Sequence, residues 1–157
     1  ILTQVLPLGW ASLEEAEQEI QKRMQPENVR LAVLQEGRVI GWGGIMPIYG
    51  GNVYELHPLA VEQKWQKKGV GGALLKALEQ AAQKRGGRTI WIGADDETGE
   101  TSFAGADLYE DFPGKLYNFQ TKSHASAFYL KQGYQIMGVL PDANGWGKPD
   151  IFLAKRL

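Results

Sequence analysis

The run Gln66-Lys67-Lys68-Gly69-Val70-Gly71-Gly72-Ala73 constrains this chain more than any other segment. It follows a strand-like stretch, Val53 to Val61, and opens a helical stripe of Val70, Leu74, Leu75, Leu78, Ala81 and Ala82. A strand, a glycine turn and a helix in that order point to a mixed α/β sheet with a parallel pair around the helix. Glycines in the turn let the backbone curl and let a ligand come close. The first N–H groups of the helix lack partners, and with the helix dipole they favour a phosphate. Lys64, Lys67 and Lys68 add positive charge beside them. A Walker A loop is excluded, because no Gly-Lys-Ser/Thr follows. A dinucleotide fingerprint needs a small residue where Leu74 stands. Two readings remain: a pyrophosphate turn of the Q-x-x-G-x-G kind, and a glycine-rich helix start with no ligand.

The flanking segments supply the rest of the fold. Ser12-Leu13-Glu14-Glu15 reads as a capping box, opening a helix that Pro26 stops near Met24. Arg30 to Leu34 and Val39 to Ile48 read as a hairpin turned at Glu36-Gly37. Val53 to Val61 is a third strand, and Pro58 inside it predicts an edge or a bulge. A bulge there frees backbone groups of Leu59 and Val61 for a ligand. The Gln66 helix is expected to run to Arg85, with Gly86-Gly87 as its cap. Thr89 to Gly93 is a short strand. Asp95 to Lys122 shows no periodicity and is too long for a plain loop, so a functional loop or irregular helix is expected. His124 to Lys131 reads as a short helix, and Gln135 to Leu140 and Ile151 to Lys155 as the last strands.

Charge narrows the function. Lys and Arg number 17 against 18 Asp and Glu, a balance that gives no support to nucleic-acid binding. With no Cys, thiol catalysis and Cys zinc sites are excluded, and two distant His residues make a poor metal site. No apolar run reaches ~18 residues and no signal-type segment is present, so the expectation is one soluble cytoplasmic domain over residues 1–157, away from the membrane. The even balance hides a segregation. Thr89 to Gly114 holds no Lys or Arg, yet carries Asp95, Asp96, Glu97, Glu100, Asp107, Glu110 and Asp111. Such a window is either a solvated acidic loop or the lining for a cation. Asp95 and Asp96 follow a strand directly, at the carboxyl end where α/β proteins bind ligands.

Together the Q-x-x-G-x-G helix, the Pro58 strand and the late Phe128-Tyr129-Leu130-Lys131-Gln132-Gly133-Tyr134 run resemble the GNAT superfamily of N-acetyltransferases. The resemblance spans nearly the whole chain. It implies a central, mostly antiparallel sheet with a splayed parallel pair and flanking helices, and acetyl-CoA as co-substrate. Glu55-Leu56-His57-Pro58-Leu59, Asp95-Asp96, Asp107-Leu108-Tyr109-Glu110 and the stretch from Pro141 to Ile151 resemble the aminoglycoside 6′-N-acetyltransferases in particular. They imply a cationic amine substrate acetylated directly in a ternary complex, and a homodimer is common among such relatives. Gln66 departs from the superfamily, where Arg is frequent; Gln suits a turn built on backbone N–H groups.

Each site residue then carries two readings. Glu55 matches the superfamily's general base, or anchors the cationic substrate; His57 shares its face and positions substrate or water, or is structural. The Leu59 N–H resembles the family's donor to the thioester oxygen; an ordinary core strand explains the same apolar residues. Tyr129 matches the Tyr near the coenzyme sulfur, or anchors the core. The coenzyme contacts implied are Leu59, Ala60, Val61, Gln66, Lys67, Lys68, Gly69, Val70, Gly71, Gly72 and Tyr129. The substrate contacts are Glu55, His57, Asp95, Asp96, Asp111, Trp146 and Asp150, with Trp146 stacking on a sugar or simply packing. The alternatives are another cationic amine, such as a polyamine or a protein lysine, and a coenzyme-A-binding sensor without turnover.

Overall fold

The computed structural model describes residues 1–157. The elements are α1 (Leu2–Val5), α2 (Leu13–Arg23), β1 (Val29–Gln35), β2 (Arg38–Ile48), β3 (Val53–Val61), α3 (Val70–Lys84), β4 (Thr89–Asp95), α4 (Phe112–Tyr117), α5 (Ser126–Lys131), β5 (Gln135–Leu140) and β6 (Asp150–Arg156). The strands form one six-stranded mixed sheet in the order β1-β2-β3-β4-β6-β5, flanked by helices. The chain divides into two compact units, Ile1–Ile90 with Arg156–Leu157, and Trp91–Lys155. No helix is long and apolar enough to cross a membrane.

In the first unit the capping box forms as the sequence predicts. The Ser12 hydroxyl accepts from the Glu15 N–H at 3.1 Å, and Glu15 accepts from the Ser12 N–H at 3.0 Å. β1, β2 and β3 are antiparallel neighbours. Gly43 pairs with Leu59 and Ile45 with Leu56, so Gly44 faces two residues, His57 and Pro58, across a β-bulge. The bulge expected at Pro58 is therefore present, on an interior strand, and the His57–Pro58 peptide is cis. α3 packs on β1, β2 and β3. Its Leu74, Leu75 and Leu78 are buried, each worth roughly 1.5–3 kcal/mol. The helix lies close because a Cβ on Gly43 would stand 3.2 Å from Leu78, and one on Gly87 would stand 2.7 Å from the Tyr54 ring.

α3 begins four residues later than the sequence suggested. Lys67 (φ 58°) and Gly69 (φ 86°) take left-handed backbone, which breaks the helical path until Val70.

In the second unit, β5 and β6 pair antiparallel. The segment after β4 contains one six-residue helix, α4. Phe103, 1% exposed, anchors it with the rings of Phe119 and Phe112 at 4.6 and 6.2 Å. The sequence shows no periodicity here because one aromatic cluster and local side-chain hydrogen bonds, rather than a helical stripe, hold the segment.

Candidate functional site

The glycine turn is built for an anion. Gln66 Nε2 donates to the Val61 carbonyl at 3.0 Å, tying the turn to the end of β3. Gly69 is the N-cap of α3 in left-handed backbone, and no side chain caps that helix. The first-turn N–H groups consequently keep no protein partner of the capping kind, and a Cβ on Gly69 would meet only open space. Lys68 lies 5.1 Å from the centre of the Trp65 ring, and both Lys67 and Lys68 are exposed. Lys64 differs: it pairs with Glu62 at 3.7 Å, which Arg38 also holds at 2.6 Å. The residues present thus fit a phosphate-bearing coenzyme.

Along β3, burial alternates. Tyr54, Leu56, Pro58 and Ala60 are buried and Glu55, His57 and Leu59 half-buried; Glu55 and His57 share a face, whereas the bulge turns Leu59 toward Gly43 and Leu78 of α3. His57 Nε2 sits 3.4 Å from Glu19 Oε1, and its ring meets Trp10 edge-on at 5.6 Å. Glu19 is itself bonded to Arg23 at 2.5 Å. Burial and the Arg23 charge hold the His57 imidazole below its ordinary range; Glu19 and Glu55 oppose this, and Arg30 adds to it. His57 is therefore neutral at pH 7 and serves as a hydrogen-bonding group rather than a charge.

The second unit gathers another set. Asp150, at the start of β6, has its Oδ2 2.8 Å from where a Cβ on Gly93 would be, so only glycine leaves it room. Its Oδ1 is buried without a partner. Burial and the Asp95 charge push its carboxyl up to about 6, against the N–H groups of Ala94 and Ile151 and the His124 charge. Asp95 accepts from Asn144 Nδ2 at 2.5 Å. His124 is buried, with Nε2 3.0 Å from the Asp95 carbonyl and Nδ1 2.9 Å from Ser126 Oγ. A half-buried carboxylate beside a second carboxylate favours a cation nearby. Tyr129, on α5, is buried between Phe128 and Tyr134, with ring centres at 5.0 and 5.6 Å. Burial lifts its phenol above the ordinary range, so it stays protonated.

One residue of the acidic window, Asp96, has other employment, which corrects the sequence reading. Asp96 is 0% exposed, and its carboxylate accepts from the Glu100 N–H, the Thr101 N–H and the Thr101 hydroxyl at 2.7, 2.9 and 2.7 Å. Burial alone would raise its pKa; those bonds and the His124 charge outweigh it and hold the carboxyl below the usual range. Asp96 braces the loop and cannot reach a ligand. Asp111 caps α4, its Oδ1 accepting from the Gly114 N–H at 3.2 Å. Trp146 is 93% exposed and packs on nothing, which removes the packing alternative. Sequence reasoning missed both Asn144 and His124 as partners of Asp95. The Asn144–Asp95 bond spans 49 residues, so no local pattern announces it.

The Acetyltransferase (GNAT) family model matches residues 2–114. Among solved structures, an aminoglycoside 6′-N-acetyltransferase complexed with coenzyme A is 40% identical, with TM-score 0.91, over 99% of this chain and 88% of that one. The aminoglycoside 6′-N-acetyltransferase from Enterococcus faecium is 39% identical, with TM-score 0.90 and the same coverage. Aminoglycoside 6′-acetyltransferase type Ii is 35% identical, with TM-score 0.73, over 99% of this chain and 86% of that one. No curated protein matches.

Proposed function

This chain belongs to the Acetyltransferase (GNAT) family, and from that membership we propose that it moves the acetyl group of acetyl-CoA to the 6′-amine of an aminoglycoside. The observation that carries the choice of acceptor is Asp150. Its carboxyl is pushed up to about 6 with one oxygen unpartnered, and Asp95 stands beside it. An ammonium of a polycationic substrate beside this pair relieves the repulsion.

The roles follow from the chemistry. The acceptor must lose a proton before its nitrogen can attack, and Glu55 takes it, directly or through water. His57, neutral on the same face, orients amine or water. As the N–C bond forms and the C–S bond breaks, the Leu59 N–H donates to the carbonyl oxygen where negative charge develops. Tyr129 protonates the departing sulfur or donates a hydrogen bond to it, and burial keeps its phenol O–H in place for that contact. The turn from Gln66 to Gly72 and Lys67 and Lys68 hold the coenzyme's phosphates. Acetyl-CoA is made in the cytoplasm, which is where we place the enzyme.

Release of free thiol is measured with acetyl-CoA and a panel of amines: kanamycin, spermidine and a lysine peptide. Turnover of kanamycin with the highest kcat/KM supports the proposal; turnover confined to spermidine or the peptide overturns it. Glu55→Gln should lower kcat by ~10²–10⁴ if Glu55 is the base, whereas a rise in KM alone makes it an anchor.

A further inference from the structure

Behind His57, entirely within the first unit, stands a set of charged side chains that the reaction above leaves without a role. Glu19 and Arg23 lie one turn apart on α2 and pair at 2.5 Å, with side chains only 12% and 18% exposed. Desolvating both charges is costly, and a pair on the open surface would avoid that cost. Arg23 is held from the sheet side. Arg30 of β1 donates through Nη2 to the Arg23 carbonyl at 2.5 Å and through Nη1 to the Ile45 carbonyl at 3.2 Å. Asn28 Nδ2 donates to the same Arg23 carbonyl at 3.0 Å. Arg30 can lie there because residue 44 is glycine: a Cβ would stand 2.5 Å from its Nη1. Gly44 is also the residue that faces the bulge at His57 and Pro58. Arg23 Nη1 lies against Met46 Sδ, and Met46 pairs with Glu55 across β2 and β3. The end of α2 is thereby fixed over the strand that carries Glu55 and His57.

The contact with His57 has a chemical consequence. An ionised carboxylate only accepts, and Glu19 Oε1 stands 3.4 Å from His57 Nε2. The ring proton therefore belongs on Nε2, which leaves the Nδ1 lone pair as the acceptor. The Trp10 ring, edge-on at 5.6 Å, limits the rotation that would exchange the two nitrogens. Charges on three elements face the imidazole: Glu19 and Arg23 of α2, Arg30 of β1 and Glu55 of β3. The carboxylates favour imidazolium and the guanidinium groups oppose it. The Arg23 that holds Glu19 in place thus also keeps the Nδ1 lone pair free of a proton.

We infer that Glu19 and Arg23 are positioning residues for His57: Glu19 fixes its Nε2–H tautomer and Arg23 fixes Glu19, so that Nδ1 is presented to the acceptor amine or its water as a hydrogen-bond acceptor. The inference rests on the role given to His57 in acetyl transfer. The chain has only two His, so ring-nitrogen NMR of histidine-labelled protein, with His57→Gln identifying the signal, follows His57 directly. The unmodified chain should show the Nε2–H form at pH 7.5. Glu19→Ala should give a mixture of tautomers and lose about tenfold in kcat/KM for kanamycin, with KM for acetyl-CoA unchanged within about twofold. Glu19→Gln, which keeps an acceptor, should restore the tautomer and most of the rate. In a pH titration the His57 midpoint should fall in Glu19→Gln and rise in Arg23→Gln, because one removes an anion and the other a cation. A pair that merely held the fold would leave the tautomer unchanged in Glu19→Ala, cost the Ala and Gln variants equally, or move both midpoints the same way; any of these overturns the inference, as does an Nδ1–H form in the unmodified chain. An unmodified enzyme that acetylates no aminoglycoside refutes the acceptor reading, while the nitrogen spectra still decide the clamp. Where thermal melting shows that Glu19→Ala does not fold, the Glu19→Gln and Arg23→Gln titrations decide it.

Discussion

Asp150→Asn removes a carboxylate that the fold holds against its preference while keeping its shape. The carboxyl moves from 3.8 to about 6, chiefly through burial and the neighbouring Asp95. Below pH 3.8 the group is protonated in folded and unfolded chains, and the fold carries no penalty. Between 3.8 and about 6 the folded chain binds more protons than the unfolded one, so stability falls as pH rises. Above about 6 the full penalty is present. The gap converts to about 3 kcal/mol at ~1.36 kcal/mol per pH unit. Asp150 is only half-buried, and solvent screening leaves about half of that, ~1–1.5 kcal/mol. The variant should thus gain ~1–1.5 kcal/mol more at pH 7.5 than at pH 4, seen as an extra ~3–5 °C in melting temperature. Thermal unfolding followed by circular dichroism at both pH values measures it. An equal gain at both, or a loss at pH 7.5, refutes the argument that Asp150 is a strained carboxylate. A second readout tests its use: kanamycin should raise the melting temperature of the unmodified chain more than that of the variant, because the ammonium offsets the strain only where the charge exists.

Three further outcomes follow from the same geometry. Gly69→Ala puts a side chain on left-handed backbone with φ 86° and open space around it, so it should cost about 1 kcal/mol from conformation alone and raise KM for acetyl-CoA but not for the amine. Tyr129→Phe should lower kcat about 10–100-fold; because burial keeps the phenol protonated, the unmodified enzyme should show no alkaline limb from Tyr129 below pH 10. Asp96→Ala strands the Glu100 and Thr101 donors and should cost about 2–3 kcal/mol in urea unfolding, while kcat per folded molecule stays within twofold. A kcat loss without a stability loss would return Asp96 to the substrate site.

What the chain itself determined is everything with a short range. The Ser12 capping box, the alternation along Val53 to Val61, the bulge at Pro58 and the glycine turn before Val70 each depend on residues within a few positions. Periodicity, proline and glycine act locally, so those features survive translation into words before any fold is known. The placement of Glu55 and His57 on one face of β3 follows from the same rule.

The acidic window shows where that reasoning stops. Seven carboxylates without a basic residue looked like one lining. Tertiary structure sorted them by neighbour. Asp96 turned inward to Thr101, Asp111 turned to its helix, and Asp95 met Asn144 and His124, 49 and 29 residues away. Asp150 met Asp95 across β6 and β4 numbering that no spacing rule relates. A carboxylate's role depends on desolvation and on which donors reach it, and both are set by residues distant in sequence. The sequence by itself determined that the chain carries a glycine turn opening a helix and an acidic window without basic residues; only the fold decided which of those acids are buried and which are exposed, because burial and hydrogen-bond partners are tertiary quantities.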